Sequence, residues 1–202
     1  MVNTCPGPEY RADITAGSLR VPESRIVARL LLNDVGAAGF RHAVVHGNVL
    51  QARNPATATR LARLLRQRLE TMDADLWRLV RDESSPIATH AILAAAVKHS
   101  RLLGDFLDLV VHEQLRIHEP RLTRAAWERY LESCQGRAPD MPHWAESTRG
   151  KLRRVVFRIL AEAGYLDSTG SPKLQPVHVA QPVIRYLELR QEAYVLRCLQ
   201  GR

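Results

Sequence analysis

Apolar residues that recur at three and four, punctuated by helix-starting dipeptides and almost never alternating in twos, constrain this chain to an all-α fold, a multi-helix globular bundle. Asn54-Pro55 and Ser85-Pro86 each put a side-chain acceptor at a helix start and a proline at the first helical position, where its missing N–H costs nothing. Asp73 and Thr123 read as caps of two more helices. The spacing predicts helices near 22–32, 35–46, 55–71, 74–82, 86–99, 101–116, 124–134, 147–163, 181–188 and 190–199. Two stretches break the rhythm. Gln135 to Glu146 gathers Gly136, Pro139 and Pro142, as a connection between units does, and Tyr165 to Val179 holds the turn cluster Asp167-Ser-Thr-Gly-Ser-Pro172. That cluster suits the tip of a short hairpin or an irregular loop. We therefore expect a loose N-terminal tail over 1–18, an N-terminal helical bundle over 19–138, and a C-terminal basic helical unit over 139–202 with a turn or wing at 165–179.

Charge narrows the partners. The net charge is +8, and of 29 cationic side chains only Lys98, Lys151 and Lys173 are lysines. Arginine forks bidentately onto phosphate and stacks on bases, so a polyanionic partner is expected. The three cysteines, Cys5, Cys134 and Cys198, are odd in number and far apart, which fits a reducing compartment. Residues 1–18 contain no apolar core of a signal peptide, and the longest aliphatic stretch, Ala91 to Val97, falls far short of the roughly 20 residues of a spanning helix. A cytoplasmic protein without membrane contact is expected.

Ser147 to Tyr165 carries the strongest signal. Leu152, Val155, Val156, Ile159 and Ala163 form one stripe that must be buried, while Lys151, Arg154 and Arg158 recur at i, i+3 and i+7 on another face. Arg149 and Arg153 flank that cationic ridge, Ser147 or Thr148 caps the helix, and Gly164 sits where a left-handed residue ends it. A basic helix followed by a Gly/Ser/Pro turn and a short apolar stretch resembles the recognition helix and wing of a winged helix-turn-helix unit. A second basic helix, Pro55 to Thr71, shows Arg60, Arg63 and Arg66 opposite Leu61, Leu64, Leu65 and Leu69. Neither helix interleaves exposed aromatics, so phosphate contact on a duplex is favoured over base stacking on a single strand.

Catalytic patterns are weak. His42 and His46 share a helix face without the glutamate of a zinc-protease motif, and no phosphate loop or nucleophile elbow is present. Cys134 and His143 have no third partner, so Cys134 reads as a small core residue. Asp105, Asp108 and His112 recur at i, i+3 and i+7; they read as a solvated helix face, with a metal-dependent site as the rival. No enzyme, metal or cofactor is expected.

The succession Glu23-Ser24-Arg25, Asn48 to Gln51, Ala62-Arg63 through Leu69, Trp77, Leu102-Leu103-Gly-Asp105-Phe106, Trp127, and Trp144 with Ser147-Thr148, Lys151-Leu152 and Ile159 to Gly164 resembles the BrxA family of BREX bacteriophage-exclusion systems. The similarity spans residues 18–188 and is most specific from Trp144 to Gly164. The resemblance implies an all-α fold similar to the antitermination factor NusB. It also implies a non-catalytic accessory role in phage defence, binding double-stranded DNA alongside other defence proteins. The alternative is a scaffold that joins such proteins without touching DNA. The resemblance supplies no contact residues, so charge alone nominates Arg149, Lys151, Arg153, Arg154, Arg158, Arg60, Arg63 and Arg66.

Overall fold

The computed structural model describes residues 9–169 and 172–201. Cys5, the first eight residues of the expected tail, and Gly170-Ser171 of the turn cluster lie outside the described residues. The order is α1 (Val21–Leu32), α2 (Ala37–Val45), α3 (Pro55–Leu69), α4 (Ala74–Asp82), α5 (Ser85–His99), α6 (Arg101–Phe106), a π-helical turn (Leu107–Val111), α7 (His112–Arg116), α8 (Arg124–Arg137), α9 (Glu146–Glu162), α10 (Gln181–Leu189) and α11 (Ala193–Gln200).

Helix α5 is the axis. Every residue from Ala91 to Val97 is buried, because the segment is apolar on all sides and can satisfy each face only by packing. Helices α1, α3, α4, α6, α10 and α11 supply those partners. The C-terminal helices thus return to the first half of the chain, and residues on both sides of position 138 share one core. Beside that axis, Phe106 meets Trp127 and Tyr130 edge-on, with centroids 5.0 Å away in each case. This contact joins α6 to α8.

Side-chain caps fall where polar acceptors precede a helix. Asn54 accepts from the Thr57 N–H at 2.8 Å, Asp73 from Asp75 at 3.0 Å and Thr123 from Ala126 at 3.1 Å. Two expected caps shift. Ser84, not Ser85, precedes α5, and α9 begins at Glu146 behind Ala145, so Ser147 and Thr148 lie inside the first turn without capping it. Gly164 ends α9 as expected, at φ 86°.

The N-terminal segment is not loose over its described part. Tyr10 and Ile14 are buried, the Tyr10 hydroxyl donates to Asp105 at 2.8 Å, and Ser100 donates to Asp13 at 2.7 Å. Arg68, buried in α3, donates to the carbonyls of Ser18 and Gly17, while Glu162 at the end of α9 accepts from the Ser18 hydroxyl and the Leu19 N–H. Burial pushes the Arg68 guanidinium down to about 10, against the nearby charges of Asp13 and Glu162, so it stays protonated. The prolines of the first eight residues suggest a tail; the apolar pair four residues apart behind them docks instead.

After α9 the chain doubles back. Leu166 pairs antiparallel with Leu174, and Lys173 pairs with Arg121 just ahead of α8. Asp167 N–H to Lys173 O and Leu174 N–H to Pro120 O complete a three-stretch patch in which 173–174 is central. Among the described residues these are isolated bridges rather than strands.

Candidate nucleic-acid interface

The doubled-back segment, the start of α8 and the outer side of α9 enclose a cleft of about 540 Å³. Helix α9 contributes Arg153, Arg154 and Arg158, the approach to α8 adds Arg121 and Arg124, and Thr169 and Pro172 close the far wall. Among the described residues no carboxylate lines it. Arg124 is held by Glu146 at 2.5 Å, whereas Arg121, Arg153, Arg154 and Arg158 form no ion pair among the described residues. Four unpaired guanidinium groups around one recess repel one another, and an anion between them relieves that repulsion. A second recess, sharing Arg158 and Thr169 with the first, continues past Ala161 and Glu162 to Ser18 and Arg20.

The sequence-nominated residues divide. Arg153, Arg154 and Arg158 converge on the cleft; Lys151 is exposed, does not line it and forms no ion pair among the described residues. Arg149 is tied to Glu128 of α8, a contact that draws the two helices together. On α3, Arg60 and Arg63 are exposed, but Arg66 pairs with Glu70 at 2.7 Å and lies over the Phe40 ring at 4.9 Å. No α3 residue lines the cleft. Arg121 and Arg124 belong to neither basic helical stripe, so helical periodicity does not mark them. Two arginines bracketing the Thr123 cap were the available signal.

The carboxylate and imidazole patterns resolve into packing. Asp105 is 2 % exposed rather than solvated, accepting from Tyr10 and, at 2.9 Å, from Tyr194, with Arg101 at 2.9 Å. Asp108 pairs with Arg197 at 2.9 Å, and His112 Nε2 lies 2.8 Å from the Cys198 carbonyl. All three face α11, through Tyr194, Arg197 and the Cys198 carbonyl, so the side they share is covered by the C-terminal helix. Among the described residues no three His, Cys, Asp or Glu side chains are grouped to hold a metal ion. His42 and His46 stack on each other with centroids 5.2 Å apart, and burial pushes the Cys134 thiol up, away from nucleophilic character. No described helix is long and apolar enough to cross a membrane.

The sequence matches the BrxA family model over residues 8–191. It is 51% identical to the BREX protein BrxA of Paramagnetospirillum magneticum, covering 96% of this chain and 97% of that one. It is 30% identical to the BREX protein BrxA of Escherichia coli O9:H4, covering 94% and 89% respectively. Its fold matches the crystal structure of an uncharacterized protein from Magnetospirillum magneticum at a TM-score of 0.91 and 49% identity, over 96% of this chain and all of that one. With a family model spanning nearly the whole chain and a relative half identical to it, the chain belongs to the BrxA family.

Proposed function

We propose that this chain is a non-catalytic, double-stranded-DNA-binding accessory protein of a BREX phage-defence system, working in the cytoplasm with other defence proteins. The observation that carries the reading is the carboxylate-free cleft lined by Arg121, Arg124, Arg153, Arg154 and Arg158. The order of parts supports a duplex as the polyanion: a short paired stretch at 121, then α8, then α9, then a doubled-back segment, as in a winged helix-turn-helix unit. In that arrangement α9 offers its arginine side to the duplex, the start of α8 meets the phosphate backbone, and the turn near Thr169 flanks it. Lys151 contacts an adjoining phosphate. Arg60 and Arg63 on α3 lie outside the cleft and serve, if the duplex is long enough, as secondary phosphate contacts.

A salt-titrated gel shift tests this. Neutralising four to six phosphates gives a slope of log K against log salt of roughly −4 to −5. Replacing Arg121, Arg154 and Arg158 together by alanine removes roughly three units of that slope, at about 0.9 per contact, while circular dichroism stays unchanged. A folded triple variant with unaltered affinity overturns the cleft as the interface. A wild-type protein that leaves bare duplex unbound at low salt favours the scaffold reading instead.

A further inference from the structure

Glycine is the least favourable residue after proline in a helix interior, so an interior glycine calls for a reason. Several glycines of this chain have a steric or conformational one inside the molecule, Gly39, Gly47 and Gly201 among them. A Cβ at Gly104 would collide with the Tyr194 hydroxyl, and Gly164 has a left-handed backbone. Gly150, in the second turn of α9, has neither: among the described residues a Cβ there meets nothing within 4 Å and its φ is not positive, a condition it shares with Gly136, which however sits at the very end of α8 rather than in a helix interior. Alanine would fit the free protein and favour the helix.

Its position on α9 supplies the missing reason. At 100° per residue, Arg154, Phe157 and Ala161 lie within about 40° of the line through Gly150, and Arg153 within about 60°. Arg153, Arg154 and Phe157 line the arginine cleft, and Ala161 lines the recess that continues it. The buried Leu152 and Ile159 point the opposite way. Gly150 therefore stands one turn before the cleft, on the stripe that forms its floor. We propose that Gly150 is the seat at which a phosphodiester backbone lies directly against the backbone of α9. The inference rests on the duplex-binding reading above. Without a Cβ the strand settles deeper between α8 and the segment after α9, where Arg121 and Arg154 reach its phosphates from opposite walls.

The test sets two opposed effects against each other. Gly150→Ala raises Tm by about 2–4 °C through helix propensity, and weakens binding of a duplex of about 20 base pairs roughly five- to tenfold by fluorescence anisotropy. Gly136→Ala is the control: its Cβ also meets nothing, and it lies at the far end of α8 from Arg124. It raises or preserves Tm and leaves affinity unchanged. Unchanged affinity in Gly150→Ala overturns the inference, as does a lowered Tm, which would reveal an internal role for the glycine. Failure of the underlying reading is separately visible, as wild-type affinity in the Arg121/Arg154/Arg158 triple variant.

Discussion

Asp105 ties the two ends of the chain to the middle. Its carboxylate accepts hydroxyls from Tyr10 and Tyr194, residues separated by most of the sequence, and its charge faces Arg101 at 2.9 Å and Arg137 at 3.7 Å. A buried carboxylate is tolerable only with such a set of donors. Asp105→Asn keeps the size but removes the charge the two arginines face and turns one acceptor into a donor aimed at a hydroxyl. The expected loss is about 2–3 kcal/mol of unfolding free energy, measured by urea titration. A loss below about 0.5 kcal/mol would show the tyrosines re-pair without it. The sequence holds Asp105, Asp108 and His112 at helical spacing, which reads as a solvated face with a ligand set as the rival. Neither holds, because α11 packs over that side of the helix: Tyr194, Arg197 and the Cys198 carbonyl take up the three side chains, and Tyr10 completes the burial of Asp105.

At the scale of elements, α9 was the most legible part of the chain. Its apolar stripe, its arginine side and its glycine stop are local consequences of a 3.6-residue repeat and of left-handed backbone at Gly164. What faces the arginines was not local. The opposing wall comes from Arg121 and Arg124, some thirty residues earlier, brought across by the pairing of Arg121 with Lys173. The far end of α9 carries a pH dependence. His90, buried on α5, accepts the Ala180 N–H at Nδ1 from the start of α10, and its ring also meets the Ala163 carbonyl at the end of α9. Burial holds its pKa below the usual 6.5. Above that value folded and unfolded chains both carry it neutral, and it adds no slope. As pH falls below 6.5, the unfolded chain takes up a proton that the folded one refuses, so stability declines. His112, likewise depressed by burial, acts in the same direction. The urea midpoint is expected to drop between about pH 7.5 and pH 5.5, and to drop less in His90→Gln. An equal drop in both proteins would remove His90 from the account.

At the scale of the whole molecule, one core runs from Tyr10 to Leu199. Helix α11 closes it: Tyr165 donates to the Leu199 carbonyl at 2.9 Å, and Tyr194 reaches Asp105 over Gly104. Because the last two helices pack on α4, α5, α6 and the π turn, the first and last thirds of the chain cannot separate without opening that core. Urea unfolding followed by tryptophan fluorescence and by far-ultraviolet circular dichroism is expected to give one coincident transition. Two resolved midpoints would mean that the segment around α8 and α9 unfolds on its own.

Periodicity, proline at helix starts and glycine at a helix end act over a few residues, and for that reason the helices, their approximate limits and the basic side of α9 could be read directly from the order of amino acids. Which arginines stay free was decided by folding. Arg66 and Arg149 are drawn to carboxylates, Arg68 is buried against two carbonyls, and Arg121 is carried to α9 by the chain reversal after Gly164. Those outcomes depend on contacts between residues far apart in sequence, whose Coulomb and packing energies exist only once the helices have met.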